Sequence, residues 1–577
     1  MTTDAADATR DSIAAQPPAR AVPLAATGLT ALAAITSATL AACGGGGGSD
    51  TSAAAASPTG APVDAASLSR APTRAQAARF LSQASLSTGT ADIEQVMTLG
   101  YGGWLDAQMA IAPGMSRVAW LRSKGLDAPT YRNSQAGANP MLWRKLIASP
   151  DPLRQRIALA LSEILVINVS GLSGGGFKAF SAAYFMDILE ANAFGNYRTL
   201  IEQVSTSPAM GAYLTFRGNR KASGASLPDE NYAREVMQLF SIGLVKLNLD
   251  GTPELKDGAV QETYDQPTVS QMARVFTGWD LDTRVGSNDT PDRVIRPMIQ
   301  YPNRHETGTK SFLGVTIPAG TDGVHSLRIA LDTLVNHPNA GPFIGRQLIQ
   351  RLVTSDPQGD YVARVAAVFN DNGLGVRGDL RAVVRAILLD GAARSDAALT
   401  DPAFGKLREP VVRFVQWARS FGLASPDDSW DIGDLSDPAA LLGQSPLRSP
   451  SVFNFFRPGY VPPNSPIGNR TVPEFQITTE SSVAGYVNFM QKVVAGKGVV
   501  SGMTLDYAAI RAFVNDSAAL LAELNVVLAA GQLSAPTLAA LKPALDSIVV
   551  TTPTGQNNRL YAALTLVLAA PEYITLK

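Results

Sequence analysis

The chain has 577 residues, with 48 Lys and Arg against 49 Asp and Glu, 46% hydrophobic and 17% charged residues, and one cysteine. Its length allows three to four domains at about 150 residues each and a large buried core, and the apolar content excludes a largely disordered chain. A net charge of −1 offers no basic field to a nucleic-acid backbone, and one cysteine excludes an internal disulfide, a CxxC zinc site and a CxxCH haem site.

Residues 21–42 form an uncharged run of small and apolar residues that follows Arg10 and Arg20 and ends in Leu40-Ala41-Ala42-Cys43. An apolar core closed by small residues is a secretory signal. Its ending resembles the bacterial lipobox, in which the cysteine is acylated and the chain is cut just before it. The expectation is a signal peptide over 1–42, lipidation of Cys43, and a Gly/Ala/Ser/Pro tether over 43–72. Acidic Asp4, Asp7 and Asp11 depart from the usual basic start. Gly44 after the cysteine, where an inner-membrane protein of this kind carries Asp, favours the outer membrane.

From residue 73 the periodicity is helical, which predicts one large, mainly α body over 73–577. Helices are expected over 73–85, 91–111, 152–168, 178–193, 229–246, 267–277, 323–335, 341–353, 360–371, 378–389 and 403–422. Asp151-Pro152 reads as a helix start, and the run after it is apolar on most faces, hence buried. Two Asp-Gly pairs, at 250–251 and 257–258, predict a small β-hairpin near 245–265. Residues 280–322 are turn-rich, 443–475 carry seven prolines and read as ordered but irregular, and 476–577 is again helical.

The helix expected at 229 opens Asp229-Glu230-Asn231-Tyr232-Ala233-Arg234-Glu235. Glu230 and Arg234 can pair at four-residue spacing, and Asn231 and Glu235 share a face. This is either a capped helix with a structural Arg–Glu network or a polar cluster in which Glu235 is an acid or base and Arg234 an anion clamp. The three histidines are His305, His325 and His337; no HExxH spacing accompanies them, and cap or loop roles account for them. Gly171-Leu172-Ser173-Gly174-Gly175 matches G-x-S-x-G, but helical spacing precedes it where a nucleophile elbow needs a strand. Residues 451–460 gather Phe453, Phe455, Phe456 and Tyr460 with Asn454 and Arg457, a set that suits sugar or peptide recognition and equally a loop anchored in a core.

Taken together, RQRIALALSEILV, NAFGNYRTLIEQVSTSPAMGAYL, PDENYAREVMQLFSIGLVKLNLDGTPEL, MARVFTGW, KSFLG, NHPNAGPFIGRQLIQRLVTSDP, FGKLREPVVR, SPSVFNFFRPGY and the terminal APEY resemble the bacterial family known as domain of unknown function 1800. The resemblance runs from about residue 73 to 577. It implies a large exported, mainly helical protein and no particular reaction. It draws attention to Asn196, Arg198, Glu230, Asn231, Arg234, Glu235, Trp279, His305, Lys310, His337 and Arg457, which fall in the motif segments. Two expectations stand. One is a cell-envelope lipoprotein that binds or assembles an extracellular polymer or an exported partner through residues such as Asn196, Arg198, Asn231, Trp279, Lys310, His337, Phe453, Arg457 and Tyr460. The other is a secreted hydrolase with Glu230, Arg234, Glu235 and His305 in one site. Neither specifies a cofactor or a metal.

Overall fold

The Thr73 hydroxyl accepts the Gln76 amide while the Gln76 side chain accepts the Thr73 amide, a capping box that starts the helix Arg74–Ala84. In this computed structural model residues 71–464 and 467–577 are described. The expected signal peptide, Cys43 and nearly all of the tether lie outside the described residues. The protein is mainly α, and the strands among the described residues form four two-stranded antiparallel sheets. No described helix is long and apolar enough to cross a membrane.

The predicted hairpin is present. Leu255–Lys256 pairs with Ala259–Val260 across Asp257 and Gly258, both at positive φ, as a type I′ turn requires. The turn-rich stretch 280–322 holds strand pairings as well, Trp279–Asp280 with Ile299–Gln300 and Lys310–Phe312 with Val315–Ile317.

At the centre lies Pro152–Ser162, all eleven of whose residues are buried. It packs against Lys178–Ala191, Thr90–Ala110 and Ala340–Leu352. The last of these packs closely along Gly359–Asn370. The C-terminal helices Glu480–Val494 and Ser517–Ala529 each pack on Pro553–Ala569, and Ser517–Ala529 reaches back to Arg74–Ala84. The strand Thr575–Leu576 pairs with Lys406–Leu407. One continuous apolar cluster runs through these elements, at roughly 1.5–3 kcal/mol for each large side chain fully buried.

Three helices are shorter than their periodicity predicts. Asn231–Gln238 stops well before residue 246, because the backbone turns out at Gly243 (φ 71°), where the Ile242 and Gly243 amides both donate to the Met237 carbonyl. Pro152–Ser162 ends six residues early, and the Glu163 carbonyl accepts Arg351 Nη2 at 3.0 Å instead of a helical amide. Over 403–422 the helix begins only at Pro410, with Glu409 at the N-cap and a strand before it. Proline at the first helical position was the available signal.

Candidate functional site

The expected Glu/Arg/His constellation divides into separate neighbourhoods. Glu230 caps the helix Asn231–Gln238 and accepts from Ser270 Oγ (2.5 Å) and Gln266 Nε2 (2.7 Å), which clamps it to the helix Gln266–Val275. Arg234 Nη2 donates to Gln266 Oε1 at 2.9 Å and lies 3.5 Å from Glu230. Asn231 is exposed, 3.4 Å from the Thr215 hydroxyl. Glu235 points inward and is buried, with Oε2 lacking a hydrogen-bond partner. Burial pushes its carboxyl up to about 7 against the opposing pull of Arg234. The Tyr264 hydroxyl, whose titration Glu235 influences, is also buried and unpartnered.

His305 belongs to another network. Its Nδ1 lies 3.0 Å from the Thr277 carbonyl and its Nε2 lies 3.3 Å from Ser326 Oγ. Lys310 Nζ donates to the same Ser326 oxygen at 3.4 Å. All three side chains are buried. Burial, reinforced by Lys310, lowers the His305 pKa, and burial with Arg274 nearby lowers Lys310 to about 8. Besides one another, the polar atoms of this group meet the Thr277 carbonyl and hydroxyl and the Gly308 carbonyl.

The other predicted binding residues have local duties. Asn196 caps Tyr197–Ser205 and donates to the Arg377 carbonyl at 2.7 Å. Arg198 pairs with Glu202 and Asp332, each at 2.5 Å. Trp279 is buried in a strand. His337 ends the helix Gly323–Asn336 and accepts the Asn339 amide at 3.1 Å, which sets the start of Ala340–Leu352. Ser173 sits on an exposed loop after a 3-10 turn, without the strand an elbow needs. Among the described residues no group of three or more His, Cys, Asp or Glu is placed to hold a metal ion.

A different cluster occupies the centre. Lys406 Nζ lies 3.3 Å from Glu409 Oε1, 3.0 Å from Glu474 Oε1 and 2.8 Å from the Arg351 carbonyl. Gln444 donates to Glu409 at 2.9 Å and Ser355 to Glu474 at 2.8 Å. Arg351 faces Glu163 at 3.7 Å, and Arg156 donates to the Arg351 carbonyl at 2.5 Å. All of these charged side chains are buried. The Glu163 and Glu409 carboxyls influence each other's titration. Burial and the Glu409 charge push Glu163 up. Burial opposes ionisation of Glu409 too, but Lys406, Glu163, Arg156 and Gln444 together hold it down. Of the two carboxyls, Glu163 is the one whose environment favours the protonated form.

Glu163 also lines a recess of about 300 Å³ with Ser445, Ser449, Asn454 and Phe455. Glu163 Oε2, both serine hydroxyls and Asn454 Nδ2 are buried there without hydrogen-bond partners. Free space inside is about 10 Å³, close to the room one water needs. Above lies the loop 451–460. Asn454 adopts a left-handed conformation (φ 62°) that turns its side chain into the recess floor, and Gln350 holds the Pro458 carbonyl at 3.1 Å. Arg457 remains exposed, its guanidinium 5.5 Å from the Phe453 ring. Half-buried Tyr460 closes the turn through its amide to the Arg457 carbonyl. Arg156, Glu163, Arg351, Lys406, Glu409 and Asn454 come from RQRIALALSEILV, NHPNAGPFIGRQLIQRLVTSDP, FGKLREPVVR and SPSVFNFFRPGY, so four motif segments meet here. Sequence reasoning missed the cluster, although one signal was present: Arg156 and Glu163 lie two turns apart in a helix otherwise apolar enough to be buried, and buried charges need partners.

The model of a family described as a protein of unknown function, DUF1800, matches residues 79–575. The chain belongs to the DUF1800 family. No curated protein and no solved structure matches it. The DUF1800 match spans every neighbourhood described above, including the central cluster and the loop over it.

Proposed function

We propose that this DUF1800 protein is a binding or assembly component of the bacterial cell envelope, anchored at the outer membrane through lipidated Cys43, that holds an extracellular polymer or exported partner by its 451–460 loop. The observation that carries the reading is the construction of that loop. A motif segment is held by Gln350 at the Pro458 carbonyl, with Asn454 buried beneath it, and presents Arg457 over the half-buried Phe453 ring at the surface. A cation on an aromatic face is a rigid, planar platform of the kind that sugar rings and peptide groups stack on. The test is co-sedimentation of the full chain with cell-wall polysaccharide. Phe453→Ala with Arg457→Ala is expected to weaken retention at least tenfold, and retention equal to wild type would overturn the loop's role. Cys43→Ser is expected to move the protein out of the membrane fraction; an unchanged fraction refutes the anchor.

A second reading, a hydrolase, draws support from one observation, the buried Glu235 carboxyl poised at about 7 beside an unpartnered Tyr264 hydroxyl. In that reading Glu235 is the acid or base, with Glu230 and Arg234 as its support, and His305 contributes only through the fold.

A further inference from the structure

The helix that begins at Glu409 and Pro410 carries a second charged residue on its next turn. Arg413 is 7% exposed, its guanidinium lies 4.0 Å from the Tyr486 ring centroid, and its Nε has no hydrogen-bond partner. Arg408 lies behind it, fully buried and stacked 4.6 Å over Tyr573, with Nε and Nη2 unpartnered. Neither guanidinium forms an ion pair with any described residue. The one carboxylate nearby in the chain, Glu409, is engaged by Lys406 and Gln444. Burial lowers the Arg408 pKa and Arg413 adds to the lowering, as two like charges in one apolar region must. A buried cation without a counter-ion is costly, and an anion from outside relieves that cost.

Such an anion has a place to bind. Arg413 lines a recess that opens to solvent and holds about 40 Å³ of free space inside, with walls that include Leu407, Leu442, Ile477, Val483 and Ile574. Thr478 and Ser482 line it as well, at the N-terminus of the fifteen-residue helix Glu480–Val494, where the helix dipole favours negative charge. Exposed Glu480 is the acidic group at that terminus. We propose that this recess takes the carboxylate of a small carboxylic acid with an apolar body, the carboxylate pairing with Arg413 while the body rests on the aliphatic walls out to exposed Val483. Arg413 suits a planar carboxylate because its guanidinium presents a planar fork. The site is independent of the 451–460 loop and does not rest on the function proposed for it.

Titration calorimetry of the full chain with benzoate, with its neutral analogue benzamide and with inorganic phosphate tests the assignment. Benzoate is expected to bind at least tenfold more tightly than either of the others. Equal binding of benzoate and benzamide overturns the carboxylate pairing, and tighter binding of phosphate overturns the ligand class. Arg413→Gln is expected to abolish the preference for benzoate. Because that variant disturbs a packed stack, Val483→Glu supplies a second test. Val483 is 50% exposed and lines the recess, so a carboxylate there is expected to weaken benzoate at least fivefold while leaving the melting temperature unchanged. Undiminished benzoate affinity in a folded Val483→Glu protein removes the site.

Discussion

Glu235 shows how a single side chain can be indifferent to spacing and decisive by burial. Its place on an amphipathic helix was readable from the sequence, whereas its protonation was not, because that depends on what covers it. With a folded-state pKa of about 7 against an ordinary 4.5, the folded protein keeps a proton that the unfolded chain releases. Stability therefore falls as pH rises from about 4.5 to about 7, by roughly 3 kcal/mol in all. Urea unfolding at pH 5 and pH 8 is expected to show that loss in the wild type and its absence in Glu235→Gln. Parallel curves for the two proteins would remove Glu235 as the titrating group. The same variant separates the functional readings, since a hydrolase using Glu235 loses turnover while a folded binding protein keeps its polymer. His305 and Lys310 carry the same lesson. Lys310 stands in a motif segment and His305 just before it, yet both are buried with Ser326 and spend their polar atoms on it, on Thr277 and on backbone.

Elements follow the same division. Most predicted helices are present near their predicted positions because apolar spacing and caps are local. The errors fall at helix ends, where the decision is local only if the right residue is noticed, as at Gly243 and Pro410, and tertiary where Arg351 accepts the role of capping the Glu163 carbonyl. How closely helices approach is a further tertiary quantity. A Cβ on Gly341 would lie 3.0 Å from the Ala366 carbonyl oxygen and 2.6 Å from Asn370 Oδ1, so the helices Ala340–Leu352 and Gly359–Asn370 meet across that glycine. Gly102, within Thr90–Ala110, meets only an arginine tip at 3.8 Å. Gly341→Val is expected to cost about 1–3 kcal/mol by overpacking, whereas Gly102→Ala is expected to add about 0.5–1 kcal/mol from helix propensity. Thermal melts of the two variants check the contrast; shifts of the same sign would contradict the packing argument.

For the whole molecule the central charged cluster is the junction at which distant chain segments are held. Lys406 neutralises Glu409 and Glu474 and also holds the Arg351 carbonyl, linking a strand, a helix start, a 3-10 turn and a helix end. Lys406→Met leaves two carboxylates buried without their cation and is expected to cost about 3–5 kcal/mol. Adding Glu409→Gln and Glu474→Gln is expected to recover much of that loss, which urea unfolding midpoints would measure; strictly additive losses would show that the three residues do not act as a unit.

By itself the sequence determined the mainly α class, the hairpin at Asp257-Gly258, most helix positions and the family, because periodicity, capping and turn chemistry act over a few residues and the motif segments are read in order. It could not decide which of its charged residues share a neighbourhood. Glu235 and His305 were joined by residue type and stand in separate networks, while Glu163, Glu409 and Lys406 were passed over and stand together. Only the tertiary structure made that choice, since the free energy of a charge is set by the groups that surround it after burial, and those groups come from segments far apart in the chain.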